Sequence, residues 1–153
     1  MMEPKEGETM GYGNTEIFLS AGEREELIRR FLGKMVTVTV DRPVGFHHVT
    51  KGIHLDYGIN YGFLPGIIGG DGEEQDVYIL GIPQPLETFT GRIIGAVRRR
   101  DDNEDKFIAA PDGMRFTAAQ IKKEIFFVEQ YFDSEVFSIF DGGGDGKIFS
   151  SEL

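Results

Sequence analysis

Two short stretches carry most of the chemistry this sequence can do: Asp71-Gly72-Glu73-Glu74-Gln75-Asp76 and Asp101-Asp102-Asn103-Glu104-Asp105-Lys106. Each gathers carboxylates at the end of an apolar run. Brought together, the two would form a cage of hard oxygen ligands, which suits magnesium or manganese. Such a cage for divalent ions is basic equipment for cleaving a phosphoanhydride. The first expectation is therefore a metal-dependent phosphohydrolase. Asp71, Glu73 and Asp76 lie in a turn that leads into an apolar strand at Val77. The second cluster occupies a hairpin connection between Val97 and Phe107. Taken singly, each reads equally well as a solvated polar turn. Both fall at strand ends, and one shared end of a barrel would bring them together.

The nearby cations divide in the same way. Arg98-Arg99-Arg100 directly precedes the second turn, and strand alternation points Arg98 and Arg100 to one face and Arg99 to the other. An arginine there could clamp a phosphate through two parallel hydrogen bonds. The alternative is that all three only balance neighbouring carboxylates. Lys51 and Lys106 are further candidates for holding substrate oxygens. Tyr57, Asn60 and Tyr61 share an aromatic segment, where a phenol could donate to phosphate or a ring could simply fill the core. His47, His48 and His54 are too close in sequence to supply a tetrahedral zinc set unaided, and read as surface residues.

Composition bounds these readings. A chain of 153 residues suits one domain with a real core, and its 21 glycines imply many bends and short elements rather than a helical bundle. A formal net charge of -10 opposes sequence-independent nucleic-acid binding, which needs a cationic face. It does not oppose a phosphate substrate, because bound cations would reverse the local field. With no cysteine, thiolate chemistry and zinc–cysteine sites are excluded. No apolar run of membrane-spanning length and no signal-peptide core is present in the sequence, so a cytoplasmic protein without a membrane partner is expected.

The elements that must position these residues follow from patterning. Residues 1–19 show no period and read as a flexible arm. Ser20 and Glu23 form a capping box, followed by the stripe Leu27, Phe31 and Leu32, with Gly33 as C-cap. Residues 35–40 alternate as a strand. Residues 57–63 read as a twisted aromatic strand, and 77–82, 91–97 and 107–110 as buried strands. Thr117 and Gln120 form a second capping box before Ile121, Ile125, Val128 and Phe132, one face of a helix that could run on to Phe140. The expected fold is mainly β (α+β): a small five-stranded OB-like barrel packed against a C-terminal helix, with a short N-terminal helix.

Four segments also resemble a known family. Tyr57-Gly58-Ile59-Asn60-Tyr61-Gly62-Phe63-Leu64 looks like the Tyr-Pro-x-Asn-Tyr-Gly-Tyr-Ile segment of family I soluble inorganic pyrophosphatases. Asp71 to Val77 resembles that family's Asp-Gly-Asp-Pro-x-Asp-Val signature, and Asp101 to Pro111 its second acidic turn, Asp-Glu-x-x-Glu-Asp-x-Lys. Phe127 to Asp133 resembles the helix carrying its Tyr-Lys pair. The resemblance covers roughly Met35 to Glu135, within a domain drawn at residues 20–135, and implies hydrolysis of pyrophosphate to two phosphates with magnesium, usually in a homo-oligomer. By motif position Asp71, Asp76 and Asp105 match metal ligands and Asp101 or Asp102 another, with Glu73 in place of the signature's middle Asp and Asp41 where the family has a metal-site Glu. It gives Asp76, Tyr61, Tyr131 and Lys106 catalytic roles, and leaves Lys51, Arg98 and Arg100 to hold substrate. The chain departs from the pattern where Phe132 replaces the Lys of the Tyr-Lys pair and where Lys106 follows Asp105 directly.

Residues 136–153 form a separate tail. Asp141 to Glu152 has the frame of an EF-hand calcium loop, with Asp141, Asp145, Lys147 and Glu152 at ligand positions and Val136 to Phe140 resembling the incoming helix. The sequence thus leaves two classes of function standing. One is an inorganic pyrophosphatase, or a hydrolase of another small phosphoanhydride. The other is a pyrophosphatase-fold binding or calcium-responsive module without catalysis.

Overall fold

The computed structural model describes residues 18–141. The elements run α1 (Ala21–Phe31), β1 (Met35–Arg42), β2 (His47–Thr50), β3 (Ile53–Asp56), β4 (Asn60–Ile68), β5 (Glu74–Ile79), β6 (Thr88–Arg99), β7 (Asp105–Ala110), α2 (Ala118–Glu129) and β8 (Ser134–Ser138). Both helices start where the sequence places them, and both capping boxes form with their reciprocal hydrogen bonds. Five strands in the order β1-β4-β5-β7-β6 close through a β1–β6 pairing into a barrel, with β8 added alongside β6. Strand β6 can serve three partners because it is long. Its first half pairs β1 and its second half β8, with β7 on its other side.

Two apolar clusters separate the faces of this barrel. All five barrel strands feed the inner one, through Val38, Leu64, Val77, Ile79, Phe89, Ile93, Ala96, Phe107 and Ala109, and α1 closes it with Leu27 and Ile28. The outer cluster lies under α2. Ile121, Ile125 and Val128 pack there on Tyr61, Tyr78, Leu80, Ile94, Val97, Ile108 and Ala110. Ile121 and Ile125 are fully buried, each worth about 1.5–3 kcal/mol in apolar burial.

Two expectations change. The second helix ends at Glu129, and the stretch expected to continue it or to form an EF-hand's incoming helix contains strand β8 instead. Its alternating Val136 and Phe137 meet the free edge of β6, where Gly95 lets the backbone of Phe137 approach; a Cβ at Gly95 would lie 2.2 Å from the Phe137 carbonyl oxygen. Beyond it, Asp141 caps α2, its Oδ1 accepting from the Ala118 N–H at 2.9 Å. The rest of the proposed calcium loop (Asp145, Lys147, Glu152) and residues 1–17 of the arm lie outside the described residues. The segment between β1 and β4, read as a loop, is the β2–β3 hairpin. Lys51 and Gly52 both hold positive φ at its tip, the signature of a tight two-residue turn.

Candidate functional site

One parallel pairing explains how the acidic turns meet. Strands β5 and β7 run parallel, with Val77 beside Phe107, so the turns preceding them open at the same end. One step back in register sets Asp76 beside Lys106, and the Lys106 ammonium donates to Asp76 Oδ2 at 2.8 Å. It also donates to the Tyr61 phenol oxygen at 2.7 Å and lies 3.4 Å from Glu104 Oε1. Asp71 of the first turn lies close enough to Glu104 to help raise its pKa.

Lys106, Asp76, Tyr61 and Glu104, but not Asp71, line a cavity of about 240 Å³ together with Asp41, Arg42, His48, Thr50, Tyr57, Tyr78, Arg99 and Phe132. Strand β1 contributes two adjacent residues because of a bulge. Val40 pairs with Gly62 and Arg42 with Tyr61, which leaves Asp41 as the extra residue. The bulge breaks the usual alternation, so Asp41 and Arg42 both reach the cavity. Gly62 is required opposite it, since a Cβ there would stand 1.9 Å from the Thr39 carbonyl oxygen. Gly62→Ala is expected to cost at least about 2 kcal/mol; an unchanged urea midpoint would show that the bulge can shift.

The lining is charge-balanced: Asp41, Asp76 and Glu104 against Arg42, Arg99 and Lys106. Burial raises the pKa of Glu104, with Asp71 adding to the rise and the charges of Lys106 and Arg99 opposing it. Partial burial raises that of Asp41 at the open rim, with Arg42 opposing and Asp76 adding. The Tyr61 phenol is pushed well up, first by burial and then by the Asp76 charge, so it stays a proton donor. Arg99 is the most constrained cation. Its Nε and Nη2 bind both oxygens of Glu129 at 3.1 and 2.7 Å, its Nη1 binds Glu104 at 2.7 Å, and it lies 3.5 Å over the Phe132 ring. Arg42 donates to the Tyr57 phenol oxygen at 2.7 Å.

The remaining expected site residues are placed elsewhere. Strand alternation puts Glu104 and Lys106 on one face and Asp105 on the other. There the guanidinium of Arg24 from α1 clamps Asp105 with two bonds of 2.9 and 2.8 Å. Asp105 therefore lies away from the cavity, and Glu104, one residue before it and two before Lys106, lines it. Arg98 faces Asp105 at 3.6 Å, and Arg100 pairs with Asp133 and Glu135, so Arg99 alone of the three reaches the cavity. Asp101 and Asp102 accept backbone N–H groups of Asp133 and Glu104. Asp71 accepts from the N–H of Glu73, whose side chain is exposed. Tyr131 is half exposed past the end of α2 and does not line the cavity; Phe132 does. Lys51 sits at the hairpin tip. Among the described residues, no three His, Asp or Glu side chains are grouped tightly enough to hold a metal ion by themselves.

Asn60 is held by hydrogen bonds on every side. Fully buried, it accepts from the N–H groups of Val44 and Leu86 and donates to the carbonyls of Ile82 and Gln84, tying two loops to β4.

No family model and no curated protein matches this sequence. Solved structures do. The inorganic pyrophosphatase of Ehrlichia chaffeensis superposes with a TM-score of 0.52 at 19% identity, over 78% of this chain and 94% of that one. The inorganic pyrophosphatase of Neisseria gonorrhoeae gives 0.51 at 21% identity, over 69% and 83%. That of Coxiella burnetii gives 0.50 at 18%, over 70% and 86%. The chain has the pyrophosphatase fold. Of its two acidic stretches, Asp76 from the first and Glu104 and Lys106 from the second line the cavity described above. Also among the described residues, no helix is long and apolar enough to cross a membrane.

The cavity residue Glu104 and the Arg99 partner Glu129, which sequence reasoning passed over, had readable signals. Period-2 alternation back from Lys106 selects Glu104. Glu129, on the same side of α2 as Ile125 and Val128, is a carboxylate on an apolar stripe and implies a buried cation partner.

Separating Glu104 from Asp105 gives a direct check. Glu104→Gln is expected to lower any magnesium-dependent phosphate release with little loss of stability. Asp105→Asn is expected to lower the unfolding free energy by about 2–4 kcal/mol, because it weakens a buried bidentate pair, while sparing the rate per folded molecule. The reverse pattern would restore Asp105 to the site.

Proposed function

We propose that this protein binds pyrophosphate as its magnesium complex in the cavity and hydrolyses it to two phosphates. The carrying observation is the convergence of Asp76 on β5 with Glu104 and Lys106 at the start of β7, its parallel neighbour, on a cavity that Asp41 also lines. Crowding three carboxylates there raises the pKa of two of them through burial. Perturbed carboxylates set beside Lys106 and Arg99 in one cavity are what a site that handles a charged ligand holds, which supports this reading.

The donor set is all oxygen, which fits a hard cation. Magnesium usually keeps part of its water shell and binds one or two carboxylates together with substrate phosphate, rather than an all-protein cage. That is the fit here: Asp76 with Glu104 or Asp41 would hold an ion that arrives with the substrate. Such an ion would offset phosphate charge and make a bound water more acidic. The chain's own groups supply the rest. Lys106 Nζ and the Tyr61 hydroxyl donate to phosphate oxygens. Arg99, held by Glu129, keeps Glu104 in place. Asp41 at the open rim, with its raised pKa and without a carboxylate partner like that of Glu104, accepts the proton of the attacking water.

The test is phosphate release from pyrophosphate with magnesium, against an EDTA control and a panel of small nucleotides. Release from pyrophosphate above that control supports the reading. Release only from a nucleotide would move it to another phosphoanhydride. A second reading, binding without turnover, draws on the pairing of Arg99 and Lys106 with cavity carboxylates. Pyrophosphate affinity without release would establish it.

A further inference from the structure

The outer face of the β2–β3 hairpin carries a second cluster that the cavity does not use. In this two-stranded sheet His47 pairs directly with Asp56 and Val49 with His54. Alternation therefore places His47, Val49, His54 and Asp56 on one face, and His48, Thr50 and Leu55 on the other, against the cavity. On the outer face the three polar groups form a chain. Asp56 Oδ1 lies 2.6 Å from His47 Nδ1, and His47 Nε2 lies 3.1 Å from His54 Nδ1. The two rings are 5.2 Å apart between centroids and tilted by 42°.

We propose that His47 and His54 bind a divalent transition-metal ion of the zinc, copper or nickel class, with Asp56 as the orienting carboxylate. The carboxylate beside Nδ1 of His47 fixes the proton there and leaves Nε2 with its lone pair outward, the arrangement that carboxylate–histidine–metal units use. Imidazole nitrogens bind such ions at about 2.0–2.1 Å, so two nitrogens on one ion stand roughly 2.9–3.4 Å apart for right-angle to tetrahedral geometry. The 3.1 Å between His47 Nε2 and His54 Nδ1 lies within that span. Binding moves the His54 proton to its Nε2, and modest ring rotations turn both lone pairs onto a common point. Neither ring is locked: both residues are exposed, the His47 side chain by 49%. Magnesium is the wrong ion for two imidazoles, so this site and the cavity select different cations. Water or a further ligand fills the remaining positions. The ion would cross-link the two strands whose opposite face walls the cavity.

The test is calorimetric titration of zinc and nickel chloride onto the full chain at neutral pH, with imidazole proton resonances followed in parallel. One ion per chain is expected, with the His47 and His54 ring signals shifting or broadening and those of His48 unmoved. His47→Ala and His54→Ala should each weaken binding about tenfold or more, and Asp56→Asn by about 10–100-fold. All three substitutions are on an exposed face and should leave the thermal midpoint without metal unchanged. Retained affinity in the His47→Ala/His54→Ala double variant would assign the ion to another part of the chain and overturn the proposal. So would a parent protein that binds no tighter than the order of millimolar.

Discussion

Asp76→Asn is expected to reduce magnesium-dependent phosphate release from pyrophosphate by about 10²–10³-fold, the usual loss when a group aimed at transition-state charge is removed. The substitution is nearly isosteric. The asparagine oxygen can still accept from Lys106, now 2.8 Å from Asp76 Oδ2, so the strand end should keep its shape and the unfolding midpoint should move little. What disappears is the negative charge that holds the cation and sets the ammonium in place. Lys106→Met should lose rate on a similar scale for the opposite reason, and it should also lose stability, because Asp76 and Glu104 then face each other without a cation between them. Initial rates across magnesium concentration separate the two. The Asp76 variant should need more magnesium, whereas the Lys106 variant should not recover at any concentration. A full parental rate in Asp76→Asn would remove the reaction from this cavity.

The largest effect on stability belongs to Glu129. Both its oxygens bind Arg99, one also accepts from the Tyr78 hydroxyl at 2.6 Å, and the Arg99 and Glu129 side chains are only 4% and 5% exposed. Burial and the Glu129 charge push the Tyr78 phenol well up, so it stays a neutral donor. Arg99 stays charged: desolvation opposes this most strongly, but the bonds and charge of Glu129 together with Tyr78 and Glu104 outweigh it. Glu129→Ala leaves that buried cation short of its main partner and orphans a buried hydroxyl. Breaking one side of a buried pair costs about 3–5 kcal/mol. Replacing Arg99 and Glu129 together by apolar residues of similar size should cost much less, since no uncompensated charge remains. Denaturant unfolding of the single and double variants checks this, and a loss below about 1 kcal/mol in Glu129→Ala would mean that water reaches and rescues Arg99.

Much of the fold could be read from the chain because local signals were strong. Ser20-x-x-Glu23 and Thr117-x-x-Gln120 mark both helix starts, and the apolar runs around Val77, Ile93 and Phe107 sit in barrel strands. Where reading failed, the missing information was non-local. Val136 and Phe137 follow a helix and suit either state; only the open edge of β6 makes them a strand. The hairpin at Lys51-Gly52 was obscured because its outer face carries histidines and an aspartate where an apolar alternation would have been plain. Within the site, that the two acidic turns approach each other followed from their positions at strand ends. Which carboxylate faces inward did not follow from motif position, because Asp105 matches the family letter while the strand face belongs to Glu104. The Arg24 clamp on Asp105 depends on how α1 lies across the barrel end, and no spacing in the sequence encodes that.

The parallel pairing of β5 with β7 is also a kinetic arrangement. Hairpin neighbours such as β6 and β7 can zip locally, but β5 and β7 must find each other across a long intervening segment, which is slow because chain closure precedes the reward of contact. The ion pair of Asp76 with Lys106, which bridges these two strands, therefore forms late, after the local hairpins. A chain built in this order closes its sheet before the charges of its cavity meet.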